Sequence, residues 1–295
     1  MNKEPGAKKF PERSIDLGTE IFCRAWTYQR FDNDTQRDVP AEGQNGWQQC
    51  NVEFDAYNTA LVVMHAWDTG TSGQYPGWHR EVEYLPRAQK ILAEIFPPLL
   101  SAVRKTGIRV FHVVGGGNYY QHLAGFKETV KLAGDVAVFP RLPGTATHSD
   151  LVRYHREITT GNHNQSDIEA GFSSIGFAKE AQPIEGEWIA ENGFQLAALC
   201  RDQGVGHLVY VGFALDWCLL MSPGGMVDMS RYGAICSTIR EAVTAVENKE
   251  TARPESAKEL ALWRVAVAFG FVFDLNDFLK TLALVREGKN APSFT

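Results

Sequence analysis

Short, nearly unbroken apolar runs constrain this chain more than any other feature. Ala60-Leu61-Val62-Val63-Met64 is the first, and Ile108-Arg109-Val110-Phe111-His112-Val113-Val114 follows it. Leu208-Val209-Tyr210-Val211-Gly212-Phe213 and the run at 234–239 have the same character. Runs this short, rich in β-branched residues and apolar at successive positions, read as strands covered on both faces, which is the condition of a parallel sheet. Between them the period changes to that of a helix. Residues 83–105 place Ile91, Leu92, Ile95, Leu99 and Val103 on one stripe, with a kink expected at Pro97 and Pro98 and a stop at Gly107. Residues 194–203 read as a helix closed by Gly204, 215–231 as another stopped by Gly233, and 255–270 and 277–286 as two more. Strands alternating with helices specify an α/β fold, a doubly wound, mostly parallel sheet with helices on both faces.

Residues 1–56 read as an N-terminal extension, with a hairpin predicted from the alternation at 20–28 and a partner at 52–54, and 32–45 as its loop. The α/β domain is expected over 57–295. Its least periodic part, about 119–187, reads as an irregular insertion with a short strand at 136–139. The chain of 295 residues is 44% hydrophobic with a formal charge of -6, so nucleic acid and anionic membranes are not expected partners. The first nine residues have no apolar core after them, so a signal peptide is not expected, and no run approaches the roughly 18 apolar residues of a membrane span. Five scattered cysteines without CxxC spacing suit reduced thiols in a cytoplasm. These readings suggest a cytoplasmic protein handling a small molecule.

In open α/β sheets ligands sit at the carboxyl ends of the strands. Three such ends carry chemistry: His65-Ala66-Trp67-Asp68, Gly115-Gly116-Gly117-Asn118-Tyr119 and Ala214-Leu215-Asp216-Trp217-Cys218. Cys218, just past a strand and at the expected start of a helix, is where unpaired amides and the helix dipole favour a thiolate, the state a cysteine nucleophile needs. His65 could draw off its proton, and Asp68 could orient that imidazole or bind a polar substrate group. Backbone around Ala214, Leu215 and Trp217 could stabilise an oxyanion. Trp67 and Tyr119 could wall a cleft for substrate. Each has a plainer reading as core cysteine, strand end, cap or interface aromatic. The triple glycine fits no phosphate-loop pattern, and His65, Asp68, His79 and His122 match no zinc spacing. Neither metal nor cofactor is expected.

The segment from Leu208 to Leu220 resembles the nucleophile segment of the isochorismatase-like cysteine hydrolases, in which an apolar strand passes through Gly and an Asp-x-Cys step into a helix. Residues 59–68 are similar to that family's first strand, 88–114 to its first helix and second strand, 240–247 to the loop after its last core strand, and 262–282 to its terminal helices. The likeness spans about 57–282. It implies a Rossmann-like hydrolase with a Cys-Asp-Lys triad acting on amides, carbamoyl groups or a vinyl ether, frequently as a homo-oligomer, with a cis peptide near Ala214-Leu215. Cys218 matches the nucleophile. His65 stands where the family has Asp, and no Lys occurs between Lys179 and Lys249. Zinc-holding members carry an Asp-x-His after the second strand, which is absent here. Two functions follow: a hydrolase with an altered constellation, or an inactive relative serving as a small-molecule binder or an assembly scaffold.

Overall fold

The computed structural model describes residues 20–31, 33–135 and 144–286. The strand expected at 136–139 and the first 19 residues of the extension lie outside them. The main sheet has eight strands in the order β2-β1-β10-β9-β8-β3-β5-β7. These are β1 (Glu20–Gln29), β2 (Gly46–Asp55), β3 (Thr59–Met64), β5 (Arg109–Val113), β7 (Trp188–Ala190), β8 (His207–Gly212), β9 (Ile235–Val243) and β10 (Val272–Phe273). A two-stranded sheet joins β4 (Trp67–Asp68) to β6 (Gly176–Phe177). From β10 across to β7 every pairing is parallel, while β1 pairs antiparallel with both β10 and β2. The hairpin of β1 and β2 is therefore an edge of the same sheet. The α/β reading of the sequence holds.

Every side chain of β3 and β8 is buried, because each strand faces a helical layer on both sides. Leu61, Val63, Val209 and Val211 point into one core with Leu92, Phe96, Leu99 and Phe278. Ala60, Val62, Met64, Leu208 and Tyr210 point into the other with Leu196, Met229 and Leu262. The first layer comes from α2 (Leu85–Glu94), α3 (Phe96–Val103) and α10 (Leu275–Arg286); the second from α7 (Gly193–Gln203), α8 (Met226–Arg231) and α9 (Ser256–Ala268). The chain winds outward from β3 to β5 and β7, then returns through α7 to β8 on the other flank of β3. Right-handed crossovers in opposite directions put their helices on opposite faces. The winding thus reverses between β3 and β8, and ligands of open sheets collect at such a reversal.

Several elements differ from the sequence reading. The helix expected at 83–105 is two, divided at Ile95, because Pro97 and Pro98 occupy the first turn of α3, where no amide is needed. The helix expected at 215–231 is a π turn over Leu215–Leu219, a break, and then α8. Gly204 does close α7, at φ 67. The short β10 and the continuation of β9 to Val243 carried too little periodic signal to be foreseen.

The stretch 119–187 is mostly helical, with α4 (Ala124–Ala133), α5 (Ala146–Thr159) and α6 (Asn162–Ser174). Its α6 clasps α1 (Pro76–Glu81) closely: a Cβ at Gly171 would lie 1.8 Å from the Trp78 ring. Asp167 accepts the Gly77 amide at 2.7 Å across the same contact. The exit of this stretch is fixed by Glu187, which takes Arg104 at 2.7 and 3.0 Å and stands 2.9 Å from Nε2 of His112.

Candidate active site

Cys218 owes its position to the way β8 ends. Gly212, at φ 127, passes so close to β3 that a Cβ would fall 1.9 Å from the Met64 carbonyl oxygen, so only glycine fits. A cis peptide between Phe213 and Ala214 follows, one residue before the place the sequence resemblance implied. The chain then makes its π turn: the Leu219 amide donates to the Ala214 carbonyl at 3.1 Å, and the Leu215 amide to Thr244 of the β9 loop at 2.7 Å. The turn presents a half-buried Cys218 between the strand ends.

A thiolate was expected at this point, yet the thiol is pushed above its ordinary value. Burial is the main cause; the Ser222 hydroxyl and the Ala214 backbone act the other way, and the Asp216 carboxylate raises it further. The helix dipole does not prevail because Cys218 lies inside a wide turn, not ahead of a long helix. Of the backbone groups expected to form an oxyanion hole, Ala214 is the one that hydrogen-bonds the sulfur. The Leu215 amide is taken by Thr244, and the Trp217 amide contacts the Ala214 carbonyl at 3.3 Å. Trp217 is 58% exposed, and Met221, four residues further on, is 61% exposed. Tyr84, nearly buried, is held protonated first by burial and then by Cys218, Asp216 and Glu83.

His65 occupies the neighbouring strand end in a left-handed conformation, φ 51, which costs a non-glycine residue about 1–3 kcal/mol and is most often retained at functional sites. Its ring stacks on Trp67 at 4.6 Å between centroids, and its Nε2 edge lies against Gly115, where a Cβ would be 3.3 Å away. Nδ1 is buried without a hydrogen-bond partner. Burial pulls its pKa to about 4, so the imidazole is neutral at physiological pH. The ring thus faces the β5 side of β3, whereas Cys218 follows β8 on the other side, and no hydrogen bond among the described residues joins them. The thiolate–imidazolium pair is not preformed.

Trp67 donates to the Tyr119 hydroxyl at 2.9 Å and meets Phe172 of α6 edge-on, so the two aromatics expected to bind substrate do touch each other. With Ile175 against Gly116, they close His65 beneath the insertion. Asp68 stands apart. It is exposed, accepts the Gly70 amide at 3.0 Å, and lines a cleft of about 330 Å³ with Trp67, Thr69, Gln89, Lys179 and Glu180. Lys179 is in that cleft and not beside the sulfur; its side chain is 87% exposed and faces Glu180 at 3.6 Å. His79 contacts the Thr69 carbonyl at 3.1 Å, and His122 is exposed. Among the described residues no group of three or more His, Cys, Asp or Glu is disposed to hold a metal ion. Sequence reasoning missed Ser222 and Tyr84. Ser222 carried a usable signal, since four residues of helical chain bring it back beside Cys218.

Fold and site together define an α/β protein with a cysteine at the mouth of a topological switch. No family model matches the chain. It is 28% identical over 111 residues to the ureidoacrylate amidohydrolase RutB of Serratia proteamaculans (strain 568), a match covering 35% of this chain and 41% of that relative, less than half its length. Among solved structures it is similar to a cysteine hydrolase from Pseudomonas syringae pv. phaseolicola 1448A, with 12% identity, TM-score 0.44, and 79% and 95% of the two chains covered. An isochorismatase-like hydrolase from Alkaliphilus metalliredigens gives 14%, 0.42, 76% and 97%. N-carbamoylsarcosine amidase from Thermoplasma acidophilum gives 14%, 0.39, 74% and 97%. The chain thus resembles isochorismatase-like and cysteine hydrolases of known structure and, over part of its length, an amidohydrolase. At such identities and scores, residue roles rest on this chain's own geometry.

Proposed function

We propose that the protein is an isochorismatase-like cysteine hydrolase acting on a small molecule with an amide, carbamoyl or vinyl-ether type bond, and that Cys218 is its nucleophile. The observation carrying this reading is the placement of Cys218: half-buried, on a backbone turn, at the strand ends where the sheet reverses its winding. For an amide, the deprotonated sulfur attacks the carbonyl carbon and the C–O π pair moves onto oxygen. Collapse expels the amine, which takes up a proton, and water then hydrolyses the thioester to acid and free thiol. The Ala214 amide is the backbone donor nearest the chemistry. A neutral His65 is in the protonation state a base requires; taking the thiol proton would need its ring to turn from Gly115 once substrate enters. Asp68, at the 330 Å³ cleft, would serve substrate binding and not proton transfer. No helix among the described residues is long and apolar enough to cross a membrane. A cytoplasmic homo-oligomer completes the proposal.

The deciding experiment incubates wild type and Cys218→Ala with amides, N-carbamoyl compounds and isochorismate, reading turnover and intact mass. Turnover with a trapped acyl adduct on Cys218, both lost in Cys218→Ala, is the expected result. Turnover surviving the substitution overturns the nucleophile. No turnover and no adduct across the panel, with ligand-induced thermal shifts unchanged in Cys218→Ala, would establish the binder instead.

A further inference from the structure

The main sheet ends in two strands of opposite character. β7 is three residues long, and α4 packs on it so tightly that a Cβ at Gly125 would lie 2.1 Å from the Glu187 carbonyl oxygen. β2, at the other edge, runs for ten residues, and its ladder with β1 is unbroken from Glu20↔Asp55 to Gln29↔Gly46, without a bulge. In an antiparallel ladder alternate residues turn their amide and carbonyl toward the partner, and the others turn them outward. Among the described residues no strand receives the outward groups of β2. Such edges are ordinarily blunted by proline, lysine, a bulge or short length. β2 holds no proline and no lysine, and its two charges, Glu53 and Asp55, lie together at one end. Apolar groups flank it in sequence: Phe31 and Val39, in the loop between β1 and β2, are 62% and 54% exposed, and Tyr57, just past β2, is 47% exposed.

We propose that the β2 edge is the interface for a second copy of this chain, the two β2 strands pairing antiparallel across a twofold axis so that the two sheets become one. A parallel ladder uses different residues on its two strands, so only an antiparallel pair closes with twofold symmetry. Outward-facing residues of β2 are all odd-numbered or all even-numbered. Each hydrogen-bonded pair joins two of them, so paired residue numbers add to an even sum. The pairings that use most of the strand centre on Cys50, joining 46–54, or on Asn51, joining 47–55. In either, Glu53 lies opposite the partner's Trp47 or the partner's Gln49, and the two acidic ends stay apart. The same antiparallel sense carries the loop with Phe31 and Val39 toward the partner's Tyr57, so apolar surface left open in one copy meets its counterpart. A second copy satisfies the backbone, the charges and the apolar flanks together. The edge lies outside the 57–282 span that resembles the hydrolases, and pairing there is independent of what Cys218 does.

The test is sedimentation velocity on the full-length protein across a wide range of concentration, comparing wild type with Gln49→Glu/Asn51→Glu. Both residues are exposed in the single chain, so circular dichroism of the variant should match wild type. The two glutamates face like charge in either pairing, each other in the first and residues 51 and 53 of the partner in the second. Association of the variant should be weaker by roughly tenfold or more. A short bis-maleimide, read by peptide mass, should join Cys50 to Cys50 in wild type, because the two thiols lie opposite in one pairing and diagonal in the other. The variant should lose that crosslink. A wild type monomeric at every concentration overturns both this interface and the homo-oligomer. A variant that keeps the wild-type mass overturns the interface and leaves the oligomer to another surface. Absence of the Cys50 crosslink in wild type overturns the interface whether or not the variant folds.

Discussion

Cys218 and His65 follow neighbouring strands of the sheet yet sit in different surroundings, and this has measurable consequences. His65 is desolvated, its pKa lowered to about 4 from an unfolded value near 6.5. Protonation therefore favours the unfolded chain, and its contribution destabilises the fold as pH falls from about 6.5 toward 4. Nitrogen-detected NMR of the imidazole should show a neutral ring down to about pH 4; a midpoint above 6 would mean the ring is solvated. The candidate cysteine, Cys218, was legible from its place after an apolar strand. Its protonation was not, because desolvation of a sulfur depends on side chains such as Tyr84 that lie far away in the chain. The left-handed turn at His65 was equally invisible, since no pattern marks a non-glycine residue held there by its neighbours.

Among the elements, the helical insertion is secured at two points of different character. One is the buried carboxylate of Glu187. Burial alone would raise its pKa, but hydrogen bonds from His112, Arg104 and the Ile184 amide hold it at about 2. A depressed carboxylate contributes stability that is complete above its unfolded value near 4.3 and is lost as pH falls toward about 2. Glu187→Gln should lower stability by about 3 kcal/mol at pH 7, read by chemical denaturation, with the gap to wild type closing in acid. The other point is steric. Gly171→Ala forces a methyl into the Trp78 ring and should cost about 1–3 kcal/mol while freeing α6 from α1, seen as faster amide exchange in α6 without change in the sheet. The insertion looked irregular in the sequence because α5 packs against little: Leu151, Tyr154 and Ile158 are each at least 60% exposed. Its periodicity was not tied to a core. The break after Cys218 is marked in the sequence by Pro223-Gly224-Gly225, although the helix was expected to run on to 231.

At the level of the whole molecule, the alternation of apolar strands and amphipathic helices was enough to give the class of fold. Continuous runs at 60–64 and 208–213 can be satisfied only between two layers. The strand order was not readable, nor was the attachment of the hairpin through β10, a strand of two residues. The reversal of winding between β3 and β8 separates two jobs along the chain. The turn that carries the sulfur is held by β3, β8 and the loop after β9, whereas the contacts on Trp67 from the insertion come from Tyr119 and from 172–177. On the proposed reading, grafting a different loop over the aromatic end would alter which molecules are admitted and leave the reactivity of the sulfur as it was, so selectivity and attack would be open to independent engineering.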